Sequence, residues 1–226
     1  ILKNYDVDKS KIFLNYRGVA DLKNIKSRKN FLNWKLNWFN KNKHLKEKKI
    51  LTLPTRISRR KGIEEFIDLI SYLKGKNFFV HGLIVGESKS IRYLRDLENK
   101  IKHLCLQQNI TFLGYRSDIY EIMSISDIVF SLSSIPESFG RTVIESIKLG
   151  TPVIGLNHGG VGEQLSMIFP EGLVDLNVKN SLQKKTVNFI NKKPSVKPTN
   201  LFKLIDMQKN TLRLYKLILK KNIYEP

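Results

Sequence analysis

From Lys49 onward, apolar runs of strand length alternate with segments whose apolar residues recur every three or four positions. Ile50–Leu53 predicts a strand, and Ile63, Phe66, Ile67 and Ile70 share one face of a helix from about Gly62 to Leu73. Phe78–Val85 is a second apolar run, closed by Gly86. Ile91, Leu94, Leu97, Ile101 and Leu104 predict a helix over Ser90–Leu106. A third strand, Ile110–Leu113, ends at Gly114, and a short helix spans Asp118–Ile125. Asp127–Leu132 predicts a fourth strand, and a helix from about Gly140 to Leu149 stops at Gly150, with Pro152 just beyond. Pro152–Leu156 and Gly172–Asp175 complete six strands. Near-continuous Val, Ile, Leu and Phe in these runs predicts an α/β domain whose parallel sheet is covered on both faces. Such sheets take ligands beyond the carboxyl ends of their strands. Arg56, Gly114-Tyr115-Arg116, Glu137 and His158-Gly159-Gly160 all fall at those ends.

The flanks are patterned differently. Residues 1–48 hold a short apolar stretch, Lys11–Leu14, and an aromatic-rich segment, Phe31–Phe39. Trp34 and Trp38 are four apart, so one helix face can carry both, either packed on the domain or laid on a membrane interface. Residues 191–199 read as a linker and residues 200–222 as a terminal amphipathic helix. No apolar run reaches the length of a membrane span. The chain opens on Ile1 and not on Met, and is expected to continue upstream.

Composition refines this picture. Hydrophobic residues make up 41% of 226, enough to build a core. The net charge is +20, and it is unevenly placed. Residues 1–61 carry 18 Lys and Arg against 4 Asp and Glu, and residues 179–226 carry 12 against 2. The stretch between holds 10 basic and 14 acidic residues, so the surplus lies in the flanks. It is compatible with a solvated surface or with an anionic membrane; no nucleic-acid motif accompanies it, and no nucleic acid is expected. The single Cys105 reads as a small buried apolar residue, and the four histidines have no ligand spacing.

Several segments carry candidate chemistry. Ser138-Phe139-Gly140 stands where the fourth strand hands over to a helix. There unpaired amides and the helix dipole suit an anion, although ordinary capping gives the same pattern. Arg56 and Lys61 flank Ile57-Ser58-Arg59-Arg60, either as cations for a phosphate or as part of a solvated loop. Glu145 sits eight positions after Glu137, either exposed on its helix or paired within a cleft, for instance with two ribose hydroxyls. Asp6-Val7-Asp8 has the form of a metal-holding Asp-x-Asp but no strand leading into it, and no metal is expected there.

In this order and spacing the motifs resemble the C-terminal domain of glycosyltransferase family 4, retaining enzymes of the GT-B fold. The likeness runs through Leu53-Pro-Thr-Arg56, Lys61-Gly62, Gly114-Tyr-Arg-Ser-Asp118 and Ser134-Ile-Pro-Glu137-Ser-Phe-Gly140 to Glu145. It continues in Gly150-Thr-Pro-Val-Ile154 and His158-Gly-Gly-Val-Gly-Glu163, ending at Gly172-Leu-Val174. Thr55 and Ser146 are mild departures from the family pattern.

The resemblance implies a Rossmann-like donor-binding domain over 49–193. A crossing segment and a remnant of an N-terminal domain would occupy 1–48, and a linker with a C-terminal crossing helix 194–226. It implies that Arg56 and Lys61 stabilise a leaving diphosphate, and that Glu137 contacts the transferred sugar. Ser138, Phe139, Gly140, Gly159 and Gly160 would line the phosphates or sugar, Glu145 would hold the ribose, and Tyr115 and Arg116 the base. The substrate implied is a nucleotide diphosphate sugar, with a glycan or lipid-linked acceptor of envelope polysaccharide synthesis and no cofactor. The expected location is cytoplasmic, in contact with an anionic membrane at its inner face or free of it. Two other readings stay open: a truncated nucleotide-sugar-binding module without turnover, and a basic accessory protein whose flanks bind membrane or nucleic acid.

Overall fold

The computed structural model describes residues 11–22, 29–175, 177–197 and 199–222. The chain divides into two compact units, Leu22–Thr199 and a smaller one that joins the residues up to Asp21 to those from Asn200 onward.

The larger unit is built on six parallel strands: β1 Lys49–Pro54, β2 Val80–Val85, β3 Ile110–Gly114, β4 Ile128–Ser131, β5 Val153–Leu156 and β6 Leu173–Val174. Their order is β3-β2-β1-β4-β5-β6. β1 runs in register with β2 from Lys49↔Val80 to Pro54↔Val85, and on its other side meets β4 at Leu51↔Ile128 and Thr52↔Val129. The order therefore reverses between β1 and β4, the kind of switch point where an open α/β sheet leaves a crevice. Every residue of β2 and β5 is buried, so neither strand alternates; β5 reads as an unbroken apolar run and β2 is interrupted only by His81.

Helices cover both faces. α1 is Lys29–Lys41, α2 Ile63–Gly75, α3 Ile91–His103, α4 Ile119–Ile125, α5 Arg141–Lys148, α6 Gly159–Ile168 and α7 Ser181–Asn191. α1 packs on α4, α4 on α5 and α5 on α6, while α2 packs on α7. The aromatics of α1 turn inward. Trp38 joins Leu45, Ile50, Leu83, Val85 and Ile122 in a core cluster, with Trp34 and Phe39 against it. The large apolar side chains of α1 left outside are Leu32 and Leu36, while the Trp38 indole is buried and that of Trp34 half-buried.

The smaller unit is held by the chain's two ends. Val19 bridges in parallel to Lys203, Asn15 donates to the Met207 carbonyl at 3.2 Å, and Tyr16 meets Phe202 edge to face. Its helix, α8, spans Leu204–Asn222.

Three differences from the sequence reading have physical causes. Cys105 is exposed rather than buried: it takes φ +53° in the turn that leaves α3, which points it outward. α6 runs over Gly159–Ile168 where the sequence reading gives only a Gly-Gly turn, because its first residues lack apolar periodicity. α7 occupies Ser181–Asn191, where the sequence reading names no helix, because the stripe it buries is only Thr186 and Phe189. Asp6-Val7-Asp8 lies outside the described residues. Among those described, no helix is long and apolar enough to cross a membrane.

Candidate functional site

The loops that leave β1 and β4 close on each other at the strand reversal. Ser134 N donates to the Arg60 carbonyl at 3.0 Å, and Ser133 Oγ donates to the same oxygen at 3.2 Å. Gly62 makes this approach possible: its φ is +71°, and a Cβ there would stand 2.1 Å from the Leu132 carbonyl oxygen. Across the crevice, Lys61 Nζ donates to Glu137 Oε1, an ion pair about three-quarters withdrawn from solvent. The neighbouring cations have separate positions. Arg59 turns to α3, pairing with Asp96 at 3.0 Å and lying over the Tyr93 ring at 4.7 Å. Arg56 is exposed, on backbone pinned by Thr55 N to the Val85 carbonyl and Ile57 N to the Glu87 carbonyl. The basic run is thus a set of differently aimed side chains, with Lys61 the one aimed at Glu137.

From the other side the 132–140 loop rests on the start of α6. Gly160 N donates to the Glu137 carbonyl at 2.6 Å, and the His158 ring nitrogen Nε2, in the tautomer that donates, reaches the Ser133 carbonyl at 2.8 Å. A Cβ on Gly159 would lie 2.8 Å from the Glu137 carbonyl oxygen, and one on Gly160 2.7 Å from that of Ser138. The two glycines therefore act as a floor under residues 137–139. α5 begins at Arg141 with Gly140 as its N-cap, and no side chain caps it. Ordinary capping by Ser138 is not what occupies this helix start.

Glu145 is 8% exposed, which excludes the surface reading. Its Oε1 accepts from the Arg141 guanidinium at 2.8 Å and from the Tyr120 hydroxyl at 3.2 Å. The Glu145 charge holds the Arg141 guanidinium further into its protonated range. Burial, followed by the same carboxylate, pushes the Tyr120 phenol up, so it stays a proton donor.

Tyr115 and Arg116 follow β3, and the structure separates them. Tyr115 is 72% exposed. Arg116 is committed twice, with Nε and Nη2 on Asp118 at 2.8 and 2.6 Å and its guanidinium 5.4 Å from the Trp38 ring centre. Trp34 Nε1 donates to the second Asp118 oxygen at 2.8 Å. Burial pushes the Asp118 carboxyl up, but the hydrogen bonds from Arg116 and Trp34 outweigh it and hold it below the usual carboxylate range.

Tyr120, Arg141 and Gln164 are the residues here that sequence reasoning did not single out; Asp118 it quoted in a motif without a role, and Trp34 it read only as packed on the domain or laid on a membrane. Only Arg116-x-Asp118 and Arg141-x3-Glu145 had a local signal, in their turn and helix spacings. Gln164 is 2% exposed, its amide atoms have no hydrogen-bond partner, and its Oε1 lies 3.0 Å from where a Gly140 Cβ would be. Among the described residues, no group of three or more His, Cys, Asp or Glu could hold a metal ion. Chemically, the crevice offers a lysine shared with a carboxylate, an uncapped helix start and a second carboxylate held in place, an arrangement suited to an anion joined to a polyhydroxyl group.

A family model described as glycosyl transferases group 1 matches residues 35–195. The mannosylfructose-phosphate synthase of Agrobacterium fabrum is 32% identical over 127 residues, covering 53% of this chain and 28% of that protein. A Campylobacter jejuni enzyme, N,N'-diacetylbacillosaminyl-diphospho-undecaprenol alpha-1,3-N-acetylgalactosaminyltransferase, is 29% identical over 168 residues, 74% of this chain and 38% of that protein. Among solved structures, a glycosyltransferase from Rickettsia africae superposes with a TM-score of 0.84 at 28% identity, over 97% of this chain and 60% of that one. Anabaena Alr3699/HepE in complex with UDP-glucose has a TM-score of 0.77 at 18% identity, over 93% of this chain and 59% of that one, a likeness of fold. The sheet and its two helical layers match the Rossmann-like fold of GT-B proteins. The chain thus spans 28% and 38% of the two curated relatives' length.

Proposed function

We propose, starting from the fact that this chain belongs to the glycosyl transferases group 1 family, that it is the donor-binding half of a retaining, metal-independent transferase of glycosyltransferase family 4. The transferred sugar comes from a nucleotide diphosphate sugar and passes to a glycan or lipid-linked acceptor in envelope polysaccharide synthesis. The setting is the cytoplasm, at the inner face of the cell membrane. The observation that carries this reading is the closure of Lys61 on Glu137 from two loops at the β1–β4 reversal.

A diphosphate entering the crevice competes with Glu137 for Lys61. The ammonium then neutralises the phosphates, together with Arg56, and Glu137 turns to the sugar. As the bond from the anomeric carbon to the diphosphate oxygen breaks, the leaving group gains charge, and the two cations stabilise it more than the bound ground state. The acceptor hydroxyl bonds to the anomeric carbon on the face the diphosphate leaves, and its proton departs with the diphosphate. Ser138, Phe139 and Gly140 line the phosphates through the start of α5. Gly159 and Gly160 hold that loop from beneath. Glu145, steadied by Arg141 and Tyr120, accepts from the ribose hydroxyls. Tyr115 offers its ring to the base, and Arg116 fixes the turn that presents it.

Titration with UDP, GDP, ADP and their sugars tests the reading. At least one set binds, and Lys61→Ala or Glu145→Ala weakens it by roughly tenfold to a hundredfold, the range for a lost charged hydrogen bond. Absence of binding by all of them sinks the proposal. Turnover of the bound sugar separates a transferase from a module that binds only.

A further inference from the structure

We infer that the amino-terminal edge of the sheet, opposite the donor crevice, is a docking surface for an anionic phospholipid membrane. In a parallel sheet the strands all begin at one edge, and α2 and α3 return to it. The turn between α2 and β2 projects there, with Asn77 at φ +59° and Phe79 76% exposed. Three bonds knit neighbouring segments into one surface: Lys49 N to the Phe79 carbonyl at 2.8 Å, Lys48 Nζ to the Gln108 carbonyl at 3.0 Å, and Lys74 Nζ to the Cys105 carbonyl at 2.7 Å. On these linked segments Lys46, Lys74, Lys76 and Lys102 are exposed and Lys48 is half-buried. The segments 41–49, 74–79 and 102–109 hold 8 lysines against 1 glutamate. The nearby Asp127 is already paired with Lys49 at 3.1 Å.

Two simpler accounts fall short. The macrodipole explains lysines at the carboxyl ends of α2 and α3, but not Lys46 and Lys48, which precede a strand, nor an outward phenylalanine. For nucleic acid, the cluster holds no arginine, whose planar fork suits phosphodiesters, whereas lysines act as point charges toward a charged sheet. Lysines on the segments that adjoin a protruding aromatic ring match an interface where the ring enters the headgroup layer and the ammonium groups face anionic lipid. Because this edge lies away from the crevice, the inference stands or falls apart from the donor reading.

The test is sedimentation of the full chain with vesicles of phosphatidylglycerol and phosphatidylethanolamine, against vesicles of phosphatidylcholine alone. The chain binds the anionic vesicles, and binding collapses as salt is raised. Lys46→Glu with Lys76→Glu lowers the affinity by roughly twentyfold or more. Phe79→Ser lowers it severalfold at constant charge, and Phe79→Trp gives a blue-shifted emission on the anionic vesicles only. Lys184→Glu with Lys197→Glu, on exposed positions elsewhere, makes the same change in net charge and leaves most binding intact. The inference is overturned by no binding, by equal loss in the two double variants, or by duplex DNA binding more tightly through the same lysines. Nucleotide titration of each variant, expected to be unchanged, reports on the donor site separately.

Discussion

At the scale of single residues, buried polar groups decide most of what the site can do. Gln164 stands apart among the described residues in having both its amide atoms buried and unpaired. Gln164→Leu is expected to raise the unfolding free energy by about 1 kcal/mol, since an unsatisfied amide is replaced by an apolar side chain of similar length. Denaturant titration checks this, and a loss of stability would show that the amide has a partner in solution. His81 makes a pH prediction. It is 1% exposed, and burial, with Lys48 and His44 nearby, lowers its pKa from 6.5 to about 4. In that interval the unfolded chain binds a proton that the folded chain does not, so stability falls as pH drops from 6.5 toward 4. The loss is on the order of 3 kcal/mol. His81→Phe should flatten that slope in urea midpoints measured across the interval, and an unchanged slope would assign it to other groups.

At the scale of elements, the sequence was most legible where one element explains itself. β1 to β5 and α2 to α5 are all visible in apolar periodicity, because each buries one stripe or one run. α6 was not, because it starts on Gly159 and Gly160, which are required by what lies above them rather than by the helix. Gly160→Ala places a methyl 2.7 Å from the Ser138 carbonyl oxygen and forces the loop to move. It should cost about 1–3 kcal/mol of stability and weaken nucleotide binding more than Gly75→Ala, where a methyl meets nothing within 4 Å. α1 was legible as a helix, but its purpose was not. Which face Trp34 turns to Asp118 is set by α4, which lies 84 residues away in sequence. Trp34→Phe keeps the ring and removes the indole N–H from a charged acceptor, so a loss of about 1–2 kcal/mol is expected in thermal or urea unfolding. If the donor reading holds, this variant also raises the KM for the nucleotide sugar while largely sparing kcat.

At the scale of the whole molecule, the topology sets a lysine-rich edge and the Lys61–Glu137 ion pair at opposite ends of the larger unit. Composition alone showed the surplus of lysine and put it in the flanks, but could not show that residues 41–49, 74–79 and 102–109 share one edge. The same limit applied to the site, where the residues at strand ends were visible and their pairings were not. Lys61 and Glu137 are 76 positions apart, and only the β1–β4 reversal brings them together. A ligand that binds the folded crevice and not the unfolded chain must stabilise the larger unit. At a hundredfold excess over its Kd, a nucleoside diphosphate should add about 2.7 kcal/mol, seen as a raised unfolding midpoint, and at the same concentration Glu145→Ala should cut this to about 0.4–1.4 kcal/mol.

The short bond from the Gly160 amide to the Glu137 carbonyl has a consequence for observation. That proton is a native reporter built into the crevice floor. It sits on a residue that cannot itself contact ligand through a side chain, yet it is bonded to the loop that would have to respond. If Glu137 leaves Lys61 for a sugar without moving its backbone, the Gly160 proton keeps its slow exchange with solvent. If the loop lifts, that one proton speeds up while those in the middle of α6 do not. A single resolved amide would thus distinguish a side-chain swing from a loop opening, without a label and without any change to the sequence.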